Sequence, residues 1–145
     1  RHPHVHPFEL VAGVPFGGLH LATAFSLHRG TPMIYIHPPS TEKADTIEGV
    51  FVFGQTCLIM DDLITGGGSI LQTAATLSEA GLFVKDAVAL IDRQEGGRTA
   101  LAQAGINLVS VLNLEQIANY LMSAGYIEED NHRRTMEYIE SPPES

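Results

Sequence analysis

The chain has little cysteine, few cations and no long apolar run. Its single cysteine, Cys57, cannot form an internal disulfide, which fits a reducing cytoplasm. Cys57 lies in an apolar stretch, where a small core residue is a better reading than a catalytic thiol. Eight Lys and Arg stand against seventeen Asp and Glu, giving a net charge of −9. Nonspecific nucleic-acid binding needs many phosphate-neutralising cations, so that class is excluded. The cations Arg1, Arg29, Lys43, Lys85, Arg93, Arg98, Arg133 and Arg134 form no run or stripe. An anionic small substrate must therefore be held by a few local groups. No apolar run approaches the roughly 18 residues of a membrane span. No basic leader precedes an apolar stretch at the N-terminus, so a cytoplasmic protein without a secretion signal is expected.

What is present is ordinary in bulk and specific in one place. Apolar residues make up 44% and charged residues 17%, as in a soluble globular protein. A length of 145 residues suggests one domain over 1–145 with a sizeable core. The specific place is Cys57-Leu58-Ile59-Met60-Asp61-Asp62-Leu63-Ile64-Thr65-Gly66-Gly67-Gly68-Ser69. An apolar run bounded by turn signals reads as a buried parallel strand. Its paired acids then sit at the C-terminal end, where open α/β sheets bind ligands. The segment ILQTAATLSEAG has helical spacing and stops at Gly81, so the glycines form a strand-to-helix turn. Free N–H groups in such a turn face a phosphate. Paired acids beside a phosphate cradle suit a phosphorylated sugar. A dinucleotide fingerprint fits poorly, because there the acid follows the glycines.

Strands and helices alternate along the rest of the chain. Strands are expected over Phe8–Ala12, Met33–Ile36, Asp86–Ile91 and Asn107–Leu112, with a small hairpin arm over Thr46–Phe53. Helices are expected over Leu19–His28, from Ser69 to Glu79, and over Arg98–Ala104, Leu114–Ala124 and Glu128–Ile139. This alternation predicts an α/β fold with a parallel sheet of about five strands, covered on both faces. The chain opens almost at once on a core strand, which leaves room for a missing N-terminal portion. His2, His4 and His6 alternate between prolines, where a solvated segment outweighs a metal site. His20 reads as a partly buried helical histidine.

The chain resembles the type I phosphoribosyltransferases, and within them the orotate phosphoribosyltransferases. The likeness runs from about Phe8 to Leu114. It is carried by GVPFGGLHLAT from Gly13, PMIYI from Pro32, CLIMDDLITGGGS from Cys57 and LIDRQEGG from Leu90. The third segment marks the class, and the first and last point to the orotate branch. The resemblance implies a type I phosphoribosyltransferase-like sheet with a small hood from the terminal segments over the C-terminal strand edge. It implies transfer of phosphoribosyl from 5-phosphoribosyl 1-pyrophosphate to orotate, yielding orotidine 5-monophosphate and pyrophosphate in pyrimidine synthesis.

The same resemblance implies residue roles. Asp61 and Asp62 hold the ribose hydroxyls and stabilise an oxocarbenium-like sugar. Thr65, Gly66, Gly67, Gly68 and Ser69 bind the 5-phosphate. Val14, Pro15, Phe16 and Gly17, within the Gly13–Gly18 loop, meet the pyrophosphate, and Arg93 recognises the orotate ring. Mg2+ is the implied cofactor, carried mostly by substrate oxygens and water rather than by a protein metal site. A homodimer is implied, with no nucleic-acid or membrane partner. The departure lies at His37-Pro38-Pro39-Ser40-Thr41-Glu42-Lys43-Ala44-Asp45. The family carries a basic cluster and a mobile Lys-bearing loop there. Here Lys43 is the one firm cation, with His37 a partial one at neutral pH. Two alternatives follow: a phosphoribosyltransferase for another base, or a catalytically weakened nucleotide-binding or regulatory relative.

Overall fold

The structure, a computed structural model, describes residues 5–37 and 46–141. Its elements are β1 Leu10–Gly13, α1 Gly17–Arg29, β2 Met33–His37, β3 Thr46–Glu48, β4 Thr56–Ile64, α2 Gly68–Glu79, β5 Phe83–Asp92, α3 Gly97–Gln103, β6 Asn107–Asn113, α4 Leu114–Ser123 and α5 Glu129–Glu140. One six-stranded sheet runs β3-β2-β1-β4-β5-β6. All its pairs are parallel except β2–β3. The expected parallel strands are all present, and the expected hairpin arm is reduced to the short antiparallel edge strand β3.

Strand alternation divides the core between two faces. Leu10, Ala12, Cys57 and Ile59 point to one side and pack with Ile70, Leu77 and Leu101 from α2 and α3. Val11, Leu58 and Met60 point to the other, where Ala22, Leu21 and Phe25 of α1 cover them. Both faces are apolar, so these strands read as near-continuous hydrophobic runs. Cys57 is a buried core residue, and burial pushes its thiol up to about 12, which leaves it unreactive.

The chain leaves β1 through α1 toward β2, and leaves β4 through α2 toward β5. The strand order thus reverses between β1 and β4, which creates a crevice at their C-terminal ends. Register locates it. The last β1–β4 pair is Gly13↔Met60, whereas the β4–β5 ladder continues to Ile64↔Asp92. From Asp61 onward β4 has no neighbour on its β1 side. The paired acids, expected at the strand's C-terminal end, lie on this bare stretch, and the strand runs on to Ile64.

The described N- and C-terminal segments go to opposite edges of the sheet. The C-terminal helix α5 packs on α4, with His132 Nε2 2.7 Å from Asn119 Oδ1, and reaches the C-terminal strand edge through Tyr138. The described N-terminal residues do not join that hood. Asp86, buried near the start of β5, needs donors. It receives the His6 backbone N–H at 3.0 Å and the Asn107 amide at 2.8 Å, with the His6 ring at 2.9 Å. That draws the segment to the far edge and gives the solvent-exposed His6 a partner. His2 and His4 lie outside the described residues. Among the described residues no helix is long and apolar enough to cross a membrane.

Candidate active site at the switch point

Asp61 and Asp62 point to opposite sides of β4, as neighbours on a strand must. Asp61 is buried, at 7% exposure, and its Oδ1 accepts the Asp62 backbone N–H at 2.9 Å. Burial pushes its carboxyl up to about 7. The Asp62 side chain adds to that rise through hydrogen bonding and charge, and the Asp62 backbone N–H opposes it. Asp62 is exposed on the crevice side. The pair thus offers one sheltered carboxyl and one solvent-facing carboxylate.

The loop from Gly13 to Gly18 is pressed against this pair. The Val14 N–H donates to the Met60 carbonyl at 2.9 Å, extending β1 by one bond. A Cβ on Gly17 would lie 2.1 Å from Asp62 Oδ2, and one on Gly18 would lie 2.4 Å from the Met60 carbonyl oxygen. At Gly18 the obstacle is backbone and no side chain fits, whereas at Gly17 a side chain would displace the Asp62 carboxylate, so the two glycines permit α1 to begin directly beside the acids. The Pro15–Phe16 peptide is cis, and the Phe16 side chain is 73% exposed.

Thr65 to Ser69 cross from β4 into α2. Gly67 is the N-cap, with φ 85°, and no side chain caps the helix. The first N–H groups of a helix have no intrahelical acceptor, so this end is open to an anion. A Cβ at Gly66 or Gly68 would meet nothing within 4 Å. The space above the turn is clear on that side. The floor is fixed from α3, where the Gly97 N–H donates to the Thr65 carbonyl at 2.9 Å.

Arg93 follows β5 one step beyond the Ile64↔Asp92 pair, and its N–H donates to the Ile64 carbonyl at 3.0 Å. Its guanidinium contacts Glu95 and, from α5, Tyr138. Beneath it, buried Asp92 accepts from the Gln94 N–H and from Arg98, bracing the turn. The structure therefore brings Val14 to Gly17, Asp61, Asp62, Thr65 to Ser69 and Arg93 to one edge. His37 ends β2 at that same edge and is exposed. Lys43 lies outside the described residues. His20 is exposed on the outer face of α1, not partly buried. Sequence reasoning missed Glu95 and Tyr138. Its available signal was an aromatic residue in an otherwise charged helix. Among the described residues no group of three or more His, Cys, Asp or Glu could hold a metal ion.

The chain is 40% identical over 125 residues to the orotate phosphoribosyltransferase of Chlamydia caviae, covering 83% of this chain and 61% of that protein. It is similar to the crystal structure of orotate phosphoribosyltransferase from Aeropyrum pernix, with a TM-score of 0.76 and 31% identity, covering 88% of this chain and 71% of that one. It is also similar to the Mycobacterium tuberculosis orotate phosphoribosyltransferase in complex with 5-phospho-alpha-D-ribosyl 1-diphosphate, with a TM-score of 0.67 and 27% identity, covering 76% of this chain and 65% of that one. The chain spans about three-fifths of the length of the curated relatives it matches. No protein-family model matches it.

Proposed function

Because the chain belongs to the orotate phosphoribosyltransferase family, we propose that it transfers phosphoribosyl from 5-phosphoribosyl 1-pyrophosphate to N1 of orotate. The bond from the sugar C1 to pyrophosphate breaks, a C1–N1 bond forms, and the N1 proton is lost. The observation that carries this reading is the convergence of the acid pair, the open glycine turn and Arg93 on one crevice where the strand order reverses.

Each part has a task in the reaction. Asp61 and Asp62 grip the two ribose hydroxyls and favour positive charge on the sugar as the leaving group departs. The α2 N-terminus, with Thr65 and Ser69, holds the 5-phosphate through N–H and hydroxyl groups. Val14, Pro15, Phe16 and Gly17 lie where backbone approaches the pyrophosphate. Arg93 offers a planar fork to the base. Fixing the two reactants beside each other supplies much of the acceleration. Mg2+ would be held here mainly by substrate oxygens and water, since the described residues offer no cluster of three or more His, Cys, Asp or Glu to hold it. When bound it neutralises pyrophosphate charge. A homodimer belongs to the same reading and is measurable by sedimentation.

The reading is tested by mixing the protein with orotate, 5-phosphoribosyl 1-pyrophosphate and Mg2+ and following orotidine 5-monophosphate by mass spectrometry. Arg93→Ala is expected to raise KM for orotate by about a hundredfold, the loss of a charged bidentate contact, with KM for the phosphoribosyl donor little changed. An unchanged orotate KM would transfer the assignment to another base.

The composition of residues 37–45 favours a second reading, a weakened relative, because Lys43 is the one firm cation there. Under the enzyme reading, His37→Arg with Pro38→Lys is expected to raise turnover about tenfold by supplying charge to the departing pyrophosphate. No gain would point to a wider loss of catalysis.

A further inference from the structure

Glu95 and Tyr138 close a ring on Arg93, made of one ion pair and two hydrogen bonds. Arg93 Nε lies 2.8 Å from Glu95 Oε1 in an ion pair. Arg93 Nη2 donates to Tyr138 Oη at 2.9 Å, and Tyr138 Oη donates to the same Glu95 Oε1 at 2.5 Å. Glu95 as acceptor holds the Tyr138 phenol above its ordinary range, which keeps the proton where the ring needs it.

The geometry of a guanidinium decides what this ring does. Nε and Nη2 share its side edge, so Glu95 and Tyr138 take that edge and one hydrogen of Nη2. Nη1 and the remaining Nη2 hydrogen form the end-on fork. Among the described residues nothing bonds Nη1. The Tyr138 ring also lies 5.8 Å from Arg93 Cζ, within cation–π reach. One edge and one face are fixed, and the end-on fork is left open.

We propose that Glu95 and Tyr138 are positioning residues that set the plane of the Arg93 guanidinium and present its end-on fork to a planar carboxylate, the group orotate carries and uracil lacks. This rests on the orotate reading of the site. A long, flexible arginine must otherwise be ordered at the moment of binding, and that ordering reduces affinity. The ring orders it beforehand. It also gives α5, which has no fully buried residue, a task at the site.

Tyr138→Phe tests the idea, because it keeps the aromatic face and removes only Oη. The expected result is a rise in KM for orotate of about fivefold to tenfold, with kcat and KM for 5-phosphoribosyl 1-pyrophosphate within about twofold. In an Arg93→Ala background the same change is expected to add nothing, since Tyr138 acts through Arg93. Equal effects on both substrates, or a full added loss in that background, would overturn the proposal. The Arg93 Nε–H resonance gives a readout independent of turnover. Slow solvent exchange in the wild type and fast exchange in Tyr138→Phe are expected, and equal rates would overturn the ring as a positioning device. A wild type that turns over no orotate would overturn the orotate reading alone, because the resonance still reports on the ring.

Discussion

Asp61→Asn combined with Asp62→Asn is expected to lower phosphoribosyl transfer to orotate by about a thousandfold or more, while making the fold more stable above neutral pH. The two effects share one cause. Asp61 is buried, and its carboxyl sits at about 7 against an ordinary 3.8. Between those values the native protein keeps a proton that the unfolded chain releases. Native stability therefore falls as pH rises from about 4 to about 7, and levels off above that. Full linkage would be worth about 4 kcal/mol, and solvent entering on the Asp62 side reduces this to about 2 kcal/mol. Asparagine at 61 still accepts the residue 62 N–H and carries no charge, so the penalty disappears. Urea midpoints at pH 5 and pH 8, with turnover measured alongside, check both halves. The wild type should lose stability between these pH values and the variant should not. A variant that keeps its turnover would remove the acids from the mechanism. The same ionisation is needed to stabilise a cationic sugar, so an acid limb near pH 7 is expected in kcat/KM. The charge that serves the chemistry is unfavourable to the fold, a common trade at active sites.

The pattern of elements was legible because local signals and tertiary packing agree. Gly30 ends α1 in the left-handed region, with φ 67° and its N–H on the Ser26 carbonyl, where Arg29-Gly30-Thr31-Pro32 announced a stop. The turn after Thr65 and the stop at Gly81 were equally plain. Strand ends were not. The polar pair Asp61–Asp62 looked like the end of β4, yet the ladder to β5 carries on to Ile64. β5 likewise begins three residues before Asp86, because Phe83 pairs with Thr56. A strand stops where its neighbour stops, and a neighbour far along the chain leaves no mark on local composition.

Site residues divide in the same way. Acids and glycines on consecutive positions could be read directly, since their spacing is their geometry. Arg93 was reached through the motif around it. Tyr138 is 45 residues from Arg93 and His6 is 80 from Asp86, and no periodicity encodes such pairs. The N-terminal share of the hood was misplaced for this reason. A buried carboxylate at the far edge, invisible as such in the sequence, needed donors and drew His6 to it.

Gly18→Val is expected to unfold the site and Gly66→Ala to leave the fold intact, although both enlarge a glycine at the same crevice. At Gly18 a Cβ would lie 2.4 Å from the Met60 carbonyl oxygen and 3.1 Å from the Asp61 Cα. Both are backbone atoms of a central strand and cannot yield. The Gly13–Gly18 loop must lift from β4 and break the Val14 to Met60 bond. A loss of about 3 kcal/mol in unfolding free energy and of nearly all turnover follows. At Gly66 a Cβ would meet nothing within 4 Å, and the backbone there is not left-handed. Its unfolding midpoint should stay within about 0.5 kcal/mol of the wild type. If the turn cradles the 5-phosphate, that same methyl occupies ligand space. Affinity for 5-phosphoribosyl 1-pyrophosphate should then fall about tenfold or more, read by calorimetric titration. A glycine held by packing loses stability and function together, whereas one held open for a ligand loses affinity alone. An unaltered affinity in Gly66→Ala would mean that the open turn is not the phosphate site, whatever the acids beside it do.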